Sequence, residues 1–315
     1  MANVLLYYGD ELGRYGFPEG HPFGCDRQGA FWQEARRQRL HDAATLRAPR
    51  LATREELERF HDTEYVDKVE RMSQDGKGYL DYGDTPAFPG CYEAAAYVVG
   101  TALDGLERVM AGECRRSFQP IGGLHHARRE AAAGFCVFSD LGVLIETLRA
   151  RYGVRRIAYV DIDVHHGDGV FYAYEDDPDL IFADLHEDGN YLYPGTGHAH
   201  ETGSGAARDT KLNIPMAPGA GDAQFLDAWA QAEAYLRRMK TEFFLFQCGA
   251  DSVAGDPLAH LRYSPAAHAH AAKRLCALAN ETAQGHIMAF GGGGYHRGNL
   301  AKAWNGVLRE MLDAE

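Results

Sequence analysis

One short segment most constrains the fold of this chain. The apolar run at 156–160 leads directly into residues 161–168, which read DIDVHHGD. The apolar run is typical of a buried strand, and alternate residues of a strand face the same way, so Asp161, Asp163 and His165 should share one side. Unpaired polar groups at the mouth of a hydrophobic sheet are costly to desolvate, and a bound cation removes that cost. The segment therefore predicts a metal site at one edge of a buried sheet.

Short apolar runs alternate with longer amphipathic runs along the chain, which is typical of a parallel sheet with crossover helices. Continuous apolar strands are expected when helices cover both faces of the sheet. We predict an α/β fold with strands at 3–8, 117–121, 156–162, 180–185, 243–248 and 286–290. The predicted helices span 28–40, 91–112, 139–151, 222–239, 265–283 and 298–313. Because no linker or repeat interrupts this pattern, residues 1–315 are expected to form a single domain.

The composition is acidic, with 45 Asp and Glu against 32 Lys and Arg and a net charge of −13. Such a surface repels phosphate backbones, so nucleic-acid binding is not expected, whereas a lysine-rich tail or a polyamine suits it. The six cysteines form no CxxC pair, which predicts reduced thiols in a cytoplasmic protein. The apolar start at 4–8 is too short for a signal sequence, and we expect no membrane partner.

A candidate metal centre combines residues that follow two predicted strands. Open parallel sheets bind ligands at the carboxyl ends of their strands, where Asp163, His165 and Asp251 fall. A catalytic zinc commonly takes three protein ligands and keeps one position for water. An oxygen-rich ligand set leaves Fe²⁺, Mn²⁺ and Co²⁺ open as substitutes. The competing interpretation is an ion-pair network in the core, which several separate polar strand ends make less favoured.

Two histidines and a tyrosine supply further candidate groups. His125 and His126 follow two glycines on a predicted tight turn. Partner carboxylates would set their protonation states, and Asp161 and Asp168, which are not needed as ligands, are the natural partners. Tyr295 ends a run of four glycines that lacks the spacing and lysine of a P-loop. Its hydroxyl would be suited to donating a hydrogen bond to an oxyanion opposite the metal.

These motifs together resemble the zinc-dependent histone deacetylase family, in its class I-like type and bacterial relatives that include the acetoin-utilization proteins. The matching segments follow the family order over nearly the whole chain: GGLHH at 122–126, GFC at 134–136, DIDVHHGDG at 161–169, PGTG at 194–197, QCGAD at 247–251, GDP at 255–257 and GGGGY at 291–295. The resemblance implies a three-layer arginase–deacetylase fold around a predominantly parallel sheet of about eight strands.

The resemblance also implies a role for each candidate residue. Zinc would be ligated by Asp163, His165 and Asp251. His126, oriented by Asp168, would be the general base and then the acid for the leaving amine. His125, paired with Asp161, would be the electrostatic partner of His126. Tyr295 would donate a hydrogen bond to the oxyanion.

A substrate tunnel for the lysine stem is implied in the same way, lined by Gly134, Phe135, Tyr193 and Leu258. Tyr193 stands where family members usually have phenylalanine, which keeps the aromatic wall and adds a hydroxyl. Asp84 matches the rim aspartate that grips the substrate backbone. The alternative for Asp84 is a loop aspartate that caps its own turn.

A structural potassium or sodium ion is implied as well, on Asp161, Asp163, His165, Asp184 and Leu185. The family has a serine at the position of Asp184. The extra carboxylate would either bind the ion more strongly or turn away and pair elsewhere. A second departure is Ser139, where the family often has asparagine.

The function implied is zinc-dependent hydrolysis of acetyl or other acyl groups from Nε-acyl-lysine in a peptide or protein, with hydroxamate inhibitors taking the open metal position. An acetylpolyamine amidohydrolase is the close alternative, although Leu258 at the tunnel mouth is not an acidic gatekeeper. An arginase-like ureohydrolase is more remote, because it needs a two-metal carboxylate cluster. A non-catalytic acyl-lysine binder would be expected to lack the tyrosine, a tandem histidine or a metal ligand, and this chain has them all.

Overall fold

The computed structural model describes residues 4–18 and 20–314, so Asn3, the first residue of one predicted strand, lies outside them. Its strands are β1 (Val4–Tyr7), β2 (Thr45–Arg47), β3 (Arg116–Gln119), β4 (Ile157–Asp161), β5 (Leu180–Glu187), β6 (Lys211–Met216), β7 (Phe243–Gln247) and β8 (Ile287–Phe290). Over the described residues they form one eight-stranded sheet in the order β2-β1-β3-β8-β7-β4-β5-β6. Every neighbouring pair is parallel, which confirms the predicted sheet type.

Helices form the crossover connections that parallel strands require, except between β5 and β6, where residues 188–210 contain only a 3-10 turn at Gly205–Ala207. They are α1 (Asp10–Gly13), α2 (Arg27–Arg37), α3 (Leu40–Ala43), α4 (Arg54–Leu57), α5 (Thr63–Asp75), α6 (Cys91–Met110), α7 (Asp140–Tyr152), α8 (Asp168–Ala173), α9 (Asp222–Met239), α10 (Pro265–Thr282) and α11 (Arg297–Asp313). One group packs around α6, with α5 and α7, and another joins α9, α10, α11 and α2. The result is the three-layer arginase–deacetylase α/β architecture.

The burial of the central strands explains why the sequence predicts them. Every residue of β4, β5 and β7 is buried, so each strand needs apolar side chains on both faces. All six predicted strands and all six predicted helices are confirmed, with boundaries that differ by at most three residues.

The two unpredicted strands lie at the edges of the sheet. β2 is three residues long and largely exposed, so it carries no apolar run. β6 contains Pro215, and proline is typical of edge strands because it cannot donate to the ladder. The helices α1, α3, α4 and α8 are short, with six residues or fewer, and the longer α5 was also not predicted. No helix among the described residues is long and apolar enough to cross a membrane.

Candidate metal centre and its surroundings

Four adjacent strands carry the predicted site segments past their carboxyl ends. The tandem histidines follow β3, Tyr295 follows β8, Asp251 follows β7, and Asp163 begins the segment after β4. Because β3, β8, β7 and β4 are consecutive neighbours, their ends converge on one edge of the sheet. A small cavity there is lined by both tandem histidines, Asp163, His165 and Tyr295.

Asp163, His165 and Asp251 form a compact buried cluster whose candidate ligand atoms lie within 4.8 Å of one another. His165 Nδ1 is 3.1 Å from Asp163 Oδ1 and 3.3 Å from Asp251 Oδ2. Asp251 Oδ2 is buried and accepts no hydrogen bond, because the nearby His165 imidazole is not aligned to donate to it, and this is costly for a carboxylate oxygen. Among the described residues, this is the one group of three or more potential ligands close enough to hold an ion.

The electrostatics of the cluster favour a bound cation. Burial and, after it, the neighbouring Asp163 carboxylate raise the pKa of Asp251 to about 6. Asp163 Oδ2 accepts hydrogen bonds from Gln247 Nε2 at 2.9 Å and Gly293 N at 2.8 Å. Two buried carboxylates facing one imidazole leave negative charge that a divalent ion would neutralise. The residues therefore fit a metal of the oxygen- and nitrogen-binding type.

Each tandem histidine contacts one aspartate. His125 Nδ1 is 2.8 Å from Asp161 Oδ2, and His126 Nδ1 is 2.6 Å from Asp168 Oδ1. All four residues are buried, and the two imidazole rings lie 4.0 Å apart between centroids. Burial and, after it, charged His125 lower the pKa of His126 to about 4. Burial also lowers the pKa of His125, but the carboxylates of Asp161 and Asp163 outweigh it and raise the value to about 9.

The turn that carries the histidines is anchored by a residue that was not predicted as part of the site. Asp140 accepts hydrogen bonds from Gly123 N at 2.7 Å and Leu124 N at 2.8 Å. Asp140 is fully buried at the start of α7, one residue after Ser139. Ser139 Oγ accepts a hydrogen bond from Gly142 N and so caps that helix. The departure at Ser139 therefore has a local structural role.

Tyr295 is held by two further residues that lie outside the predicted site. Asp256 Oδ2 accepts the hydrogen bond of Tyr295 N at 2.7 Å. The buried Arg27 side chain donates to the carbonyls of Gly294 at 2.9 Å and Gly292 at 2.5 Å. Asp256 lies within the GDP segment at 255–257, so a signal for it existed, whereas nothing in the sequence around Arg27 indicated its role.

Gly134, Phe135 and Tyr193 border the approach to the histidines. The rings of Phe135 and Tyr295 lie 5.9 Å apart, and those of Tyr193 and His126 lie 5.1 Å apart. A Cβ atom on Gly134 would lie 2.4 Å from the His126 ring, and its φ of 51° also favours glycine. Gly134 thus lines the cavity at the histidines, and the Phe135 and Tyr193 rings pack beside it, while their role as a substrate tunnel stays a prediction.

The rim residue Asp84 lines a groove of about 560 Å³ together with Tyr193 and Arg128. The neighbouring Asp81, not Asp84, caps this turn, because its Oδ1 accepts from the backbone N–H groups of residues 83–85. Burial and the Asp81 carboxylate raise the pKa of Asp84 to about 7. Asp81 is thus the cap of this turn, Asp84 Oδ1 accepts a hydrogen bond from Thr85 Oγ1 at 3.3 Å, and the role of Asp84 toward a substrate stays a prediction.

Leu258 is half-buried, and its N–H donates to Asp256 Oδ1 at 3.1 Å, so it belongs to the loop that also holds Tyr295. A larger cavity, about 1240 Å³, lies elsewhere, between residues 8–18 and 25–29 and the helices α5 and α6. That cavity contains none of the predicted site residues.

Asp184 already has partners within the protein. Its Oδ1 is 2.8 Å from His186 Nδ1, and its Oδ2 accepts a hydrogen bond from Gly167 N at 2.9 Å. The extra carboxylate therefore pairs with His186 and the Gly167 backbone, and its role toward a monovalent ion stays a prediction. Leu185, which follows it on β5, is buried.

Comparison with known proteins identifies the fold class first. The crystal structure of the HDA15 HD domain superposes with a TM-score of 0.90 at 25% identity, covering 99% of this chain and 88% of that one. A family model described as "Histone deacetylase domain" matches residues 21–311. The acetoin utilization protein AcuC of Bacillus subtilis is 33% identical over 99% of this chain and 82% of that protein. Histone deacetylase RPD3 of Saccharomyces cerevisiae is 30% identical over 98% of this chain and 72% of that protein.

The chain belongs to the histone deacetylase family, which confirms the prediction made from its sequence motifs. Family membership makes it a hydrolase of the deacetylase type that binds an acetylated substrate.

Proposed function

We propose that this protein is a zinc-dependent amidohydrolase that removes acetyl groups from the ε-amine of acyl-lysine in peptides or proteins. The observation that carries the proposal is the convergence on one cavity of a buried two-aspartate, one-histidine cluster, two histidine–aspartate pairs and a tyrosine. Hydrolysis of a stable amide needs a Lewis acid, a base for water and a proton donor for the leaving amine. These groups supply all three.

The metal would be held by Asp163, His165 and Asp251, whose buried oxygens and imidazole suit zinc and also Fe²⁺ or Co²⁺. When bound, the ion supplies polarisation of the amide carbonyl and lowers the pKa of water. Asp251 Oδ2 supports this assignment, because it accepts no hydrogen bond and lies 3.3 Å from His165 Nδ1, so both atoms remain available to an ion.

His126 acts as the proton carrier. Its lowered pKa keeps the imidazole neutral near pH 7, and Nδ1 on Asp168 leaves Nε2 free to accept a proton from water. His126 then returns that proton to the leaving amine. His125 stays protonated beside Asp161 and stabilises negative charge in the transition state.

Tyr295 donates a hydrogen bond from its hydroxyl to the oxyanion that develops on the amide carbonyl oxygen. Burial raises the pKa of Tyr295 well above its usual value, so the hydroxyl remains a donor. Phe135 and Tyr193 hold the apolar stem of the acyl-lysine, and Asp84 binds the substrate backbone at the rim. Residues 1–315 act as one catalytic domain in the cytoplasm, and a potassium or sodium ion near Asp161 remains part of the proposal.

Acylated polyamines are the second substrate class, which the acidic composition favours. A panel of acetyl-lysine peptides, longer acyl-lysine peptides and acetylpolyamines tests the proposal with zinc-loaded protein. Highest kcat/KM on acetyl-lysine peptides is expected. If kcat/KM is highest on acetylpolyamines, these compounds rather than acyl-lysine are the substrate class. Full metal occupancy without turnover of any panel member would indicate a non-catalytic binder.

The metal assignment has its own test. Asp251→Asn should bind zinc at least about 10-fold more weakly, because it loses an anionic ligand. Asp227→Asn, at an exposed position on α9, is the matched control. Metal content after dialysis is measured by mass spectrometry, together with binding of a slim hydroxamate. Unchanged zinc in Asp251→Asn would reject Asp251 as a ligand.

A further inference from the structure

The two carboxylate oxygens of Asp168 have different partners. Oδ1 contacts His126 Nδ1 at 2.6 Å, and Oδ2 accepts a hydrogen bond from Arg128 Nη2 at 3.0 Å. Asp168 is completely buried, whereas the Arg128 side chain is 49% exposed. Arg128 is therefore the group that separates the buried histidine–aspartate pair from the groove at the rim, which it lines with Tyr193.

The backbone around this contact is closely packed. Val170 N on α8 donates to the carbonyl of His125 at 3.2 Å, and Arg128 N donates to the carbonyl of Ala131 at 2.8 Å. A Cβ atom on Gly169 would lie 2.5 Å from the carbonyl oxygen of Ala127, so the first turn of α8 lies directly against the histidine turn. The backbone holds the two segments together, and the Arg128 guanidinium adds a side-chain link between them.

We propose that Arg128 is a positioning residue for the reaction, and that it acts by fixing the Asp168 carboxylate so that Asp168 orients His126. This inference rests on the proposed function, in which His126 carries the proton. A carboxylate with one anchored oxygen turns about its terminal bond, and water from the groove would compete for the other oxygen. The charged Arg128 guanidinium donates a directional, charge-assisted hydrogen bond to that other oxygen and so excludes water from it.

The charges around the pair agree with this role. Burial raises the pKa of Asp168, but hydrogen bonds and charge from His126 and Arg128 outweigh it and bring the value to about 2. Asp168 therefore stays an acceptor for His126 at the pH where the enzyme would work.

The adjacent Arg129 provides a matched control in the same turn. Its guanidinium donates to the carbonyl of Phe60 at 3.1 Å and to Glu146 Oε1 at 2.7 Å, so it reaches a different part of the structure. It is similarly half-exposed, with 37% of its side chain accessible. Substitution of Arg129 removes the same charge from the same turn and leaves Asp168 untouched.

The test compares Arg128→Met, Arg128→Lys and Arg129→Met by steady-state kinetics, zinc content and thermal unfolding. We expect Arg128→Met to lower kcat about 10-fold with KM within about 2-fold, since orientation of a proton carrier matters in the transition state. Arg128→Lys should recover kcat to within about 3-fold, because an ammonium still donates to Oδ2. Arg129→Met should retain kcat within about 2-fold.

Three results would overturn the proposal. A rise in KM at constant kcat would make Arg128 a substrate contact. Equal losses of kcat in Arg128→Met and Arg129→Met would indicate a general effect on the turn, and kcat unchanged in Arg128→Met would remove the role.

A readout without turnover separates this proposal from the proposed function. The imidazole N–H proton of His126, hydrogen-bonded to Asp168, should give a downfield proton NMR signal in the wild type. The signal should be lost or shifted in Arg128→Met and retained in Arg128→Lys and Arg129→Met. If the wild type hydrolyses no substrate, the proposed function fails, but the NMR signal still shows whether Arg128 positions the His126–Asp168 pair. A signal that is unchanged in Arg128→Met would reject the positioning role of Arg128.

Discussion

The two histidine–aspartate pairs at the sheet edge are neighbours in sequence and space, yet their surroundings give the two imidazoles different protonation states. Both histidines bind a buried carboxylate through Nδ1, and their rings are 4.0 Å apart. Burial disfavours charge in both, but His125 also faces Asp163 and Asp184, so its pKa rises to about 9. His126 faces charged His125 and His165, so its pKa falls to about 4.

The difference shows that one counter-carboxylate does not decide the charge of a buried histidine. The second layer of neighbours also acts on it, because the Asp163 and Asp184 carboxylates raise the pKa of His125, whereas charged His125 and His165 lower the pKa of His126. At neutral pH the pair with His126 can accept a proton, and the pair with His125 supplies positive charge. The proposed roles, proton carrier for His126 and electrostatic stabiliser for His125, follow from this difference in protonation.

The largest effect on kcat is expected when the imidazole of His126 or of His125 is removed by substitution. His126→Ala should lower kcat about 10³-fold, because the proton carrier is lost. His125→Ala should lower kcat less, by about 10²-fold, because it removes only electrostatic stabilisation. Steady-state kinetics with equal zinc content in both variants measures the contrast. A larger loss in His125→Ala would reverse the assignment of the two roles.

Tyr295→Phe provides a reference outside both pairs. It should lower kcat about 10²-fold, because one oxyanion donor is lost while the metal ligands and both pairs remain. Metal analysis should give the same zinc content as the wild type. Turnover close to the wild-type value would remove Tyr295 from the mechanism.

Asp184→Asn sharpens the comparison by changing the surroundings of one pair only. The amide removes a negative charge that raises the pKa of His125, and its oxygen can still accept a hydrogen bond from His186. A lower pKa means that His125 loses its proton earlier as pH rises, so the alkaline limb of the kcat profile should move to lower pH. We expect kcat at pH 7 to stay within about 3-fold of wild type. An unmoved alkaline limb would show that Asp184 does not maintain the charge of His125.

A third buried histidine, His61, extends the comparison to a site without a carboxylate partner. Its Nδ1 contacts the carbonyl of Arg129 at 3.2 Å, and its Nε2 accepts from Ser139 N at 2.9 Å, so the neutral form is held. Burial lowers its pKa to about 3. The unfolded chain therefore binds a proton near pH 6.5 that the folded state does not, and stability should fall as pH drops below that value.

The expected contribution of His61 is a loss of about 2 kcal/mol in the free energy of unfolding between pH 6.5 and 4.5. Urea unfolding of the wild type and His61→Asn at both pH values measures it. The variant should be less stable at pH 6.5 but lose less stability on acidification. Equal losses in the two proteins would show that His61 is protonated in the folded state.

Much of the fold could be predicted because the central strands are buried on both faces and carry continuous apolar runs. The edge strands could not, since β2 is exposed and β6 contains Pro215. The metal cluster was predictable because Asp163, His165 and Asp251 follow buried strands, where polar residues stand out. Arg27 and Arg128 were not, because an arginine becomes informative only when its distant partner is known: Gly292 and Gly294 for the first, and Asp168 for the second.

The sequence by itself determined the residue types that meet at the carboxyl ends of the strands, because periodicity and short motifs record local backbone constraints. Only the tertiary structure decided which of these groups face one another: that the Asp184 carboxylate is taken by His186, that Asp81 rather than Asp84 caps the rim turn, and that Arg128 covers Asp168. The physical reason is that charge states and hydrogen-bond partners depend on distances between segments far apart in the chain. Those distances are set by strand order and packing.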